Sequence, residues 1–472
     1  MIIGRSKEQE ILNSALQDTK SHFIAIYGRR RIGKTYLIRE TFGQRFTFQH
    51  AGLSGGGMKE QLFAFYSSLK DAGYECQKTP GTWLEAFDSL KDLVRTSKEK
   101  RKIIFIDELS WMDTQKSNMI MALENFWNGF ASARNDVVLI VCASATSWML
   151  SKVVHNKGGL YNRLTKQMNL RAFTLKECEE YVQQNQLSLT RGQILQYYMI
   201  FGGVPYYWGF LEKGLSLSQN IDAILFSENA PLKEEYKYLY ASIFKNPEKY
   251  IKIVECLAKK KFGMTREEII AGIQCDNSGD LTVKLEELES CGFIRKYSAF
   301  GMKKKGALYQ LIDHFTLFYY RFLEKKNTDE HFWSNQINTP MVNTWMGLAF
   351  EMVCLHHIPQ IKEKLGIPGV MTEVNAWYCK EDKEKGIWGS QIDLLIVRKD
   401  QVINLCEMKY SGSEYSLQEK EYRAIQRKMQ DFRTLSGTKY AIHPTLITTY
   451  GLMDTAYSGE IQVSIRMEDL FR

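Results

Sequence analysis

A chain of 472 residues exceeds the length at which a single hydrophobic core keeps growing, so two or three domains are expected. With 44% apolar and 25% charged residues the composition is ordinary for globular proteins, which excludes fibrous and disordered classes. The net charge of +8, from 62 basic against 54 acidic residues, leans toward polyanionic partners without requiring one.

From Ile2 to about Leu170, short β-rich runs alternate with amphipathic stretches. "HFIAIYG", "RFTFQHA", "RKIIFIDE", "DVVLIVCASA" and "KQMNLRAF" read as five strands, with helices near 34–42, 59–72, 83–97 and 116–134. That spacing predicts βαβ crossovers and a parallel sheet covered on both faces. Residues 173–244 turn helical and aromatic around "FGGVPYYW" and are expected to form a lid on the first domain, 1–172. In 245–313, three helical stretches precede two short strands around a basic tip, Lys303-Lys304-Lys305, the outline of a winged helix-turn-helix. From 314 to 472 an aromatic helical segment gives way to strands, "VMTEVNAWYC", "SQIDLLIVR", "VINLCEMKY", "KYAIHPTLITTYG" and "IQVSIRMEDLF", with one helix near 417–435.

The longest apolar run, Val137 to Leu150, is too short to span a membrane, and "MIIGR" does not open like a signal peptide. Nine cysteines include no Cys-x-x-Cys pair, which argues for reduced thiols. The expectation is a cytoplasmic protein with no membrane partner. Cys354, His356 and His357 lack a second ligand pair, so "CLHH" reads as core rather than metal site.

"GRRRIGKT" fits G-x-x-x-x-G-K-[ST] and sits between a strand and a helix, where a phosphate loop belongs. Gly28, Arg29, Arg30, Arg31, Ile32 and Gly33 turn backbone N–H groups toward an anion, and Tyr36 follows in the first helical turn. Lys34 is expected to reach the β- and γ-phosphates of ATP, and Thr35 to offer its hydroxyl to Mg²⁺. In "KIIFIDELS", Asp107 is the candidate for the Mg²⁺ shell and Glu108 for polarising the attacking water. Ser144 and Thr146 follow the next strand, placed to contact the γ-phosphate or that water. Arg163, ahead of the fifth strand, is either an arginine finger for a neighbouring subunit or a surface charge, and both readings stay open.

Together "IIGRSKEQEIL", "GRRRIGKT", "IFIDELSWM", "VCASATSWM", "LYNRLTKQMNL" and "GGVP" resemble the AAA+/STAND class of P-loop ATPases, specifically the archaeal-type ATPases. The resemblance covers the first half of the chain. It implies ATP and ADP as ligands and a homo-oligomer as one possible assembly, with Ile3, Gly4, Arg5 and Glu8 beside the adenine and Pro205 against the base.

A second charged set lies far downstream. Glu407 and Lys409 are two residues apart, so they share one face of a strand, and a hairpin through "RKDQ" brings Asp393 near them. Two carboxylates and an ammonium among apolar runs are costly to bury uncompensated, and Mg²⁺ or Mn²⁺ held by Asp393 and Glu407 would compensate them. Asp followed by Glu-x-Lys resembles the PD-(D/E)XK nucleases, although Ile392 stands where the motif's proline would be. The resemblance implies a restriction-endonuclease-like α/β fold, Glu351 as leading glutamate, Lys420, Gln426 or Lys428 as a phosphate contact, and DNA as partner. Two alternatives remain: an edge-strand ladder of ion pairs, or a nuclease fold that only binds. The expected fold class is therefore α/β multidomain: P-loop sheet, helical lid, winged helix and nuclease-like domain. The expected function is an ATPase governing a metal-dependent nuclease-like domain, with a nucleotide-switched scaffold as the rival.

Overall fold

A computed structural model describes residues 2–75, 78–244, 246–301, 307–325, 328–384 and 386–472. The chain divides into two compact units, Met1–Ala172 and Phe173–Arg472.

The first unit is built on five parallel strands, β1 (His22–Tyr27), β2 (Phe48–Ala51), β3 (Lys102–Asp107), β4 (Val137–Ala143) and β5 (Lys166–Asn169), in the order β2-β3-β4-β1-β5. Every residue of β1, β3 and β4 is buried, as a parallel sheet covered on both faces requires. Strand alternation divides the core in two. Phe23 and Ala25 face Phe65, Trp83, Phe87 and Phe126, from the helices Met58–Asp71, Trp83–Thr96 and Met119–Gly129. Ile24 and Ile26 face Leu12, Leu37, Ile38 and Phe42, from the helices Ser6–Gln17 and Lys34–Phe42. Trp83–Thr96 is helical for a local reason: Thr82 caps it by accepting from the Glu85 N–H, and Trp83, Phe87, Leu90 and Val94 form a stripe at helical spacing. The parallel five-stranded sheet expected from the sequence is present. The helix Ser6–Gln17 buries only Leu12 and Ala15, a stripe too thin for apolar periodicity to mark it.

The second unit opens with short helices, of which Leu175–Gln184, Arg191–Phe201 and Leu217–Leu225 all start in capping boxes. Helices Glu248–Ala258, Arg266–Ile273 and Gly279–Ser290 follow, with an antiparallel sheet of β6 (Met264–Thr265), β7 (Ile294–Tyr297) and β8 (Leu308–Leu311) in the order β6-β8-β7. Lys303, Lys304 and Lys305 lie outside the described residues.

After the helix Pro340–His356 the chain builds β9 (Thr372–Tyr378), the short pair β10 (Glu381–Asp382) and β11 (Ile387–Trp388), then β12 (Gln391–Arg398), β13 (Val402–Lys409), β14 (Ala441–Thr448) and β15 (Val463–Arg466). The main sheet runs β15-β14-β13-β12-β9. It is antiparallel from β9 to β13 and parallel from β13 to β15, with the helix Glu419–Ser436 between β13 and β14 as the crossover that parallel pairing needs. The alternative of an edge-strand ladder would put Asp393 and Glu407 on edge strands. They are not there: β12 pairs with β9 and β13, and β13 with β12 and β14, so both strands are interior. This removes the edge-strand ladder. His357 is fully buried, donates from Nδ1 to the Val353 carbonyl at 2.8 Å and accepts from the Leu175 N–H at 3.0 Å, which makes it a core histidine.

Candidate functional site

The phosphate loop leaves β1 and enters the helix Lys34–Phe42 through a backbone that side chains resist. Gly28 has φ +139°, and a Cβ there would lie 2.2 Å from the Leu170 carbonyl oxygen; Gly33 has φ +85°, and Arg31 takes φ 71° despite its side chain. Lys34 is buried, and its Nζ donates to the Gly28 and Arg29 carbonyls at 2.9 and 3.0 Å and to Ser144 Oγ at 3.1 Å. The ammonium is thus folded onto its own loop.

Thr35 Oγ1 donates to Asp107 Oδ2 at 2.5 Å, and the Glu108 N–H donates to Asp107 Oδ1 at 2.9 Å. Burial raises the Asp107 carboxyl above its ordinary range, opposed by the Thr35 hydrogen bond and by Lys34. A hydroxyl and a carboxylate oxygen in contact at a strand end form a hard-oxygen pair that fits Mg²⁺. Glu108 leaves the strand with φ 47°, and its carboxylate accepts from Ser144 Oγ at 2.6 Å and from the Ser144 N–H at 3.2 Å. Lys34, Ser144 and Glu108 therefore form one chain of contacts across the ends of β1, β4 and β3. Thr146 is fully buried, and its hydroxyl has no hydrogen-bond partner among the described residues.

The remaining expected residues fall in three places. Tyr36 is 52% exposed, and Arg163 lies exposed on the turn before β5. Ile3 is half-buried, Gly4 and Arg5 both have φ 58°, and Arg5 Nη2 donates to the Arg171 carbonyl at 2.5 Å. Pro205 belongs to the other unit, where it opens the short helix Pro205–Trp208.

In the second unit Glu351, Asp393, Glu407 and Lys409 come together. Glu407 Oε1 pairs with Lys409 Nζ at 2.8 Å and its Oε2 with Lys428 Nζ at 2.7 Å. Burial pushes Glu407 upward, but Lys428 and Lys409 outweigh it and hold the carboxyl below its ordinary range. Glu351, mid-way along Pro340–His356, is pushed up to about 7 by burial and by the charge of Asp393, against the pull of Lys261, while Glu407 adds a smaller push. Asp393 Oδ1 accepts from Gln391 Nε2 at 2.6 Å.

Two cations were not anticipated. Lys261 Nζ contacts both Glu351 oxygens, at 2.7 and 2.8 Å, and the half-buried Arg295 lies within electrostatic range of Asp393. Neither carried a motif, since both belong to the helix-and-strand segment well upstream. Three carboxylates thus face four cations, Lys261, Arg295, Lys409 and Lys428. In this arrangement the acids are neutralised by cations: both Glu407 oxygens are occupied by ammonium groups, Lys261 lies on Glu351, and no group of three or more His, Cys, Asp or Glu among the described residues is disposed to hold a metal. Where a metal pair was expected, Glu407 is ion-paired to Lys409 and Lys428, and Asp393 lies beside Arg295.

Residues 3–209 match a family described as an ATPase domain predominantly from Archaea, and residues 315–425 match archaeal and bacterial proteins of unknown function. The uncharacterized protein MJECL04 of Methanocaldococcus jannaschii is 25% identical over 441 residues, covering 91% of this chain and 92% of that protein. Among solved structures, a Walker-type ATPase of Pyrococcus abyssi aligns with TM-score 0.47 at 14% identity, over 67% of this chain and 95% of that one. The Aeropyrum pernix ORC2 protein, in ADPNP and ADP complexes, aligns with TM-score 0.42 at 14% identity, over 76% and 96%. In the described residues no helix is long and apolar enough to cross a membrane. The phosphate loop, Gly28 to Thr35, falls inside the matched residues, so the N-terminal part of this chain carries a P-loop ATPase domain.

Proposed function

We propose that the chain hydrolyses ATP and that its nucleotide state governs a nuclease-like C-terminal domain acting on DNA. The observation that carries the ATPase half is the contact chain Lys34–Ser144–Glu108 beside the Thr35–Asp107 pair. In this reading Thr35 and Asp107 hold Mg²⁺, which supplies positive charge to the β- and γ-phosphates when bound. Lys34 exchanges its loop carbonyls for phosphate oxygens. Ser144, losing Lys34, presents its hydroxyl to the γ-phosphate, and Glu108 orients the attacking water. Ile3, Gly4 and Arg5 are proposed to border the adenine, and the exposed Arg163 to act across a subunit boundary.

For the C-terminal half, support comes from Glu351, Asp393, Glu407 and Lys409 gathering on a mixed five-stranded sheet beside the helix Pro340–His356. The three helices and small sheet of 248–311 suit a winged helix. Its last helix, with Asp280, Glu286, Glu287 and Glu289 against Lys284, suits protein contact better than base reading. A nucleotide-switched scaffold is the second reading, favoured by the ion-paired state of the acids.

The test uses the full chain with plasmid DNA, Mg²⁺ or Mn²⁺, and ATP, comparing wild type with Lys34→Ala and Asp393→Asn. ATP turnover lost in the first variant and DNA cleavage lost in the second are expected. Turnover without Asp393-dependent cleavage would leave the scaffold reading in possession.

A further inference from the structure

Lys261 lies between the helix Glu248–Ala258 and β6, 90 residues from its partner Glu351 in sequence. Its ammonium donates to Glu351 Oε1 at 2.8 Å and lies 2.7 Å from Oε2, which has no hydrogen-bond partner among the described residues, yet its side chain is 43% exposed, while that of Glu351 is 13% exposed. The acid is enclosed, and its cation can swing into solvent. Lys261 is also tied to Arg295. The buried Gln310 of β8 donates from Nε2 to the Lys261 carbonyl at 2.7 Å and accepts from Arg295 Nε at 2.6 Å. One amide thereby fixes the two cations that answer Glu351 and Asp393. Lys409 and Lys428, by contrast, arise from the same sheet and crossover helix as the acids they neutralise.

We propose that Lys261 is an internal counter-ion that occupies the place of a divalent cation at Glu351 and Asp393, so that the acid cluster stays closed to metal until the segment carrying Lys261 withdraws. The proposal rests on the nuclease-like reading of this site. The physical argument is competition. An ammonium within 2.8 Å of both Glu351 oxygens leaves no room for an ion on that face of the carboxylate, and a divalent ion added beside Lys261 and Arg295 meets like charge. Withdrawal of Lys261 alone leaves a half-buried carboxylate uncompensated, a state that binding of a divalent ion relieves.

The experiment titrates Mn²⁺ alone, without nucleotide, into the full chain, and takes as signal only the binding that Asp393→Asn removes. Lys261→Met is expected to tighten that binding at least about tenfold, the scale on which one nearby opposite charge acts. Lys261→Arg keeps the cation and is expected to bind like wild type. Equal Asp393-dependent affinity in wild type and Lys261→Met overturns the counter-ion while the nuclease-like reading stands. No Asp393-dependent Mn²⁺ binding in either protein overturns both. Because Lys261 is substantially exposed, far-UV spectra and melting curves of its variants should overlay those of wild type, so lost folding does not mimic a result.

Discussion

Ser144 accepts from Lys34 and donates to Glu108, so three side chains from three loops share one position. Replacing Glu108 with Gln keeps size and hydrogen bonding but removes the charge proposed to orient the attacking water. ATP turnover should fall about 10²- to 10³-fold while nucleotide affinity changes little, measured by steady-state hydrolysis and equilibrium binding. Lys34→Ala should instead lose affinity itself, because the ammonium is the group proposed to contact the β- and γ-phosphates. At this scale the sequence was most legible. The residues 28–35 are contiguous, and their chemistry is set by local backbone and one adjacent strand. The Lys34–Ser144 contact was not legible, because it links β1 to β4 across 110 positions.

Among the elements, two junctions carry more than their sequences suggest. Gly203 approaches the Phe173 backbone so closely that a Cβ would lie 1.9 Å from its carbonyl oxygen, and the Gly203 carbonyl accepts the Phe173 N–H at 2.6 Å. Gly203→Ala is expected to cost about 2 kcal/mol in chemical denaturation, whereas Gly369→Ala, with nothing within 4 Å, should cost far less. Asp222, buried in the helix Leu217–Leu225, accepts from the Trp333 N–H at 2.8 Å and the Ser334 N–H at 3.1 Å, and so anchors the short helix Phe332–Asn335. Asp222→Ala strands those donors and should destabilise the second unit by about 3 kcal/mol, read from the same denaturation curves. Periodicity revealed the helix around Asp222 only as apolar and polar faces. A buried carboxylate serving a helix 111 residues away leaves no local pattern.

Across the whole molecule, each unit contains a buried neutral histidine. Burial lowers His50 in the first unit and His357 in the second from the ordinary 6.5 to about 4. As pH falls below 6.5 the unfolded chain takes up these protons before the folded chain does. The stabilisation is therefore complete above that value and is lost progressively toward pH 4. By pH 5 each histidine should have surrendered about 2 kcal/mol, so denaturation midpoints of both units should drop between pH 7.5 and pH 5. His50→Gln should flatten the drop in the first unit alone.

What the sequence determined by itself was whatever short-range physics encodes: the parallel sheet, from strands and helices alternating at crossover spacing; the phosphate loop, from glycines and a lysine at fixed offsets; and the shared strand face of Glu407 and Lys409. Only the tertiary structure decided that β12 and β13 lie inside their sheet, that Lys428 completes the pairing of Glu407, and that Lys261 and Arg295 answer Glu351 and Asp393. Ion pairing between distant segments depends on which surfaces meet after the backbone has folded, and a charge carries no sequence mark of the partner it will neutralise.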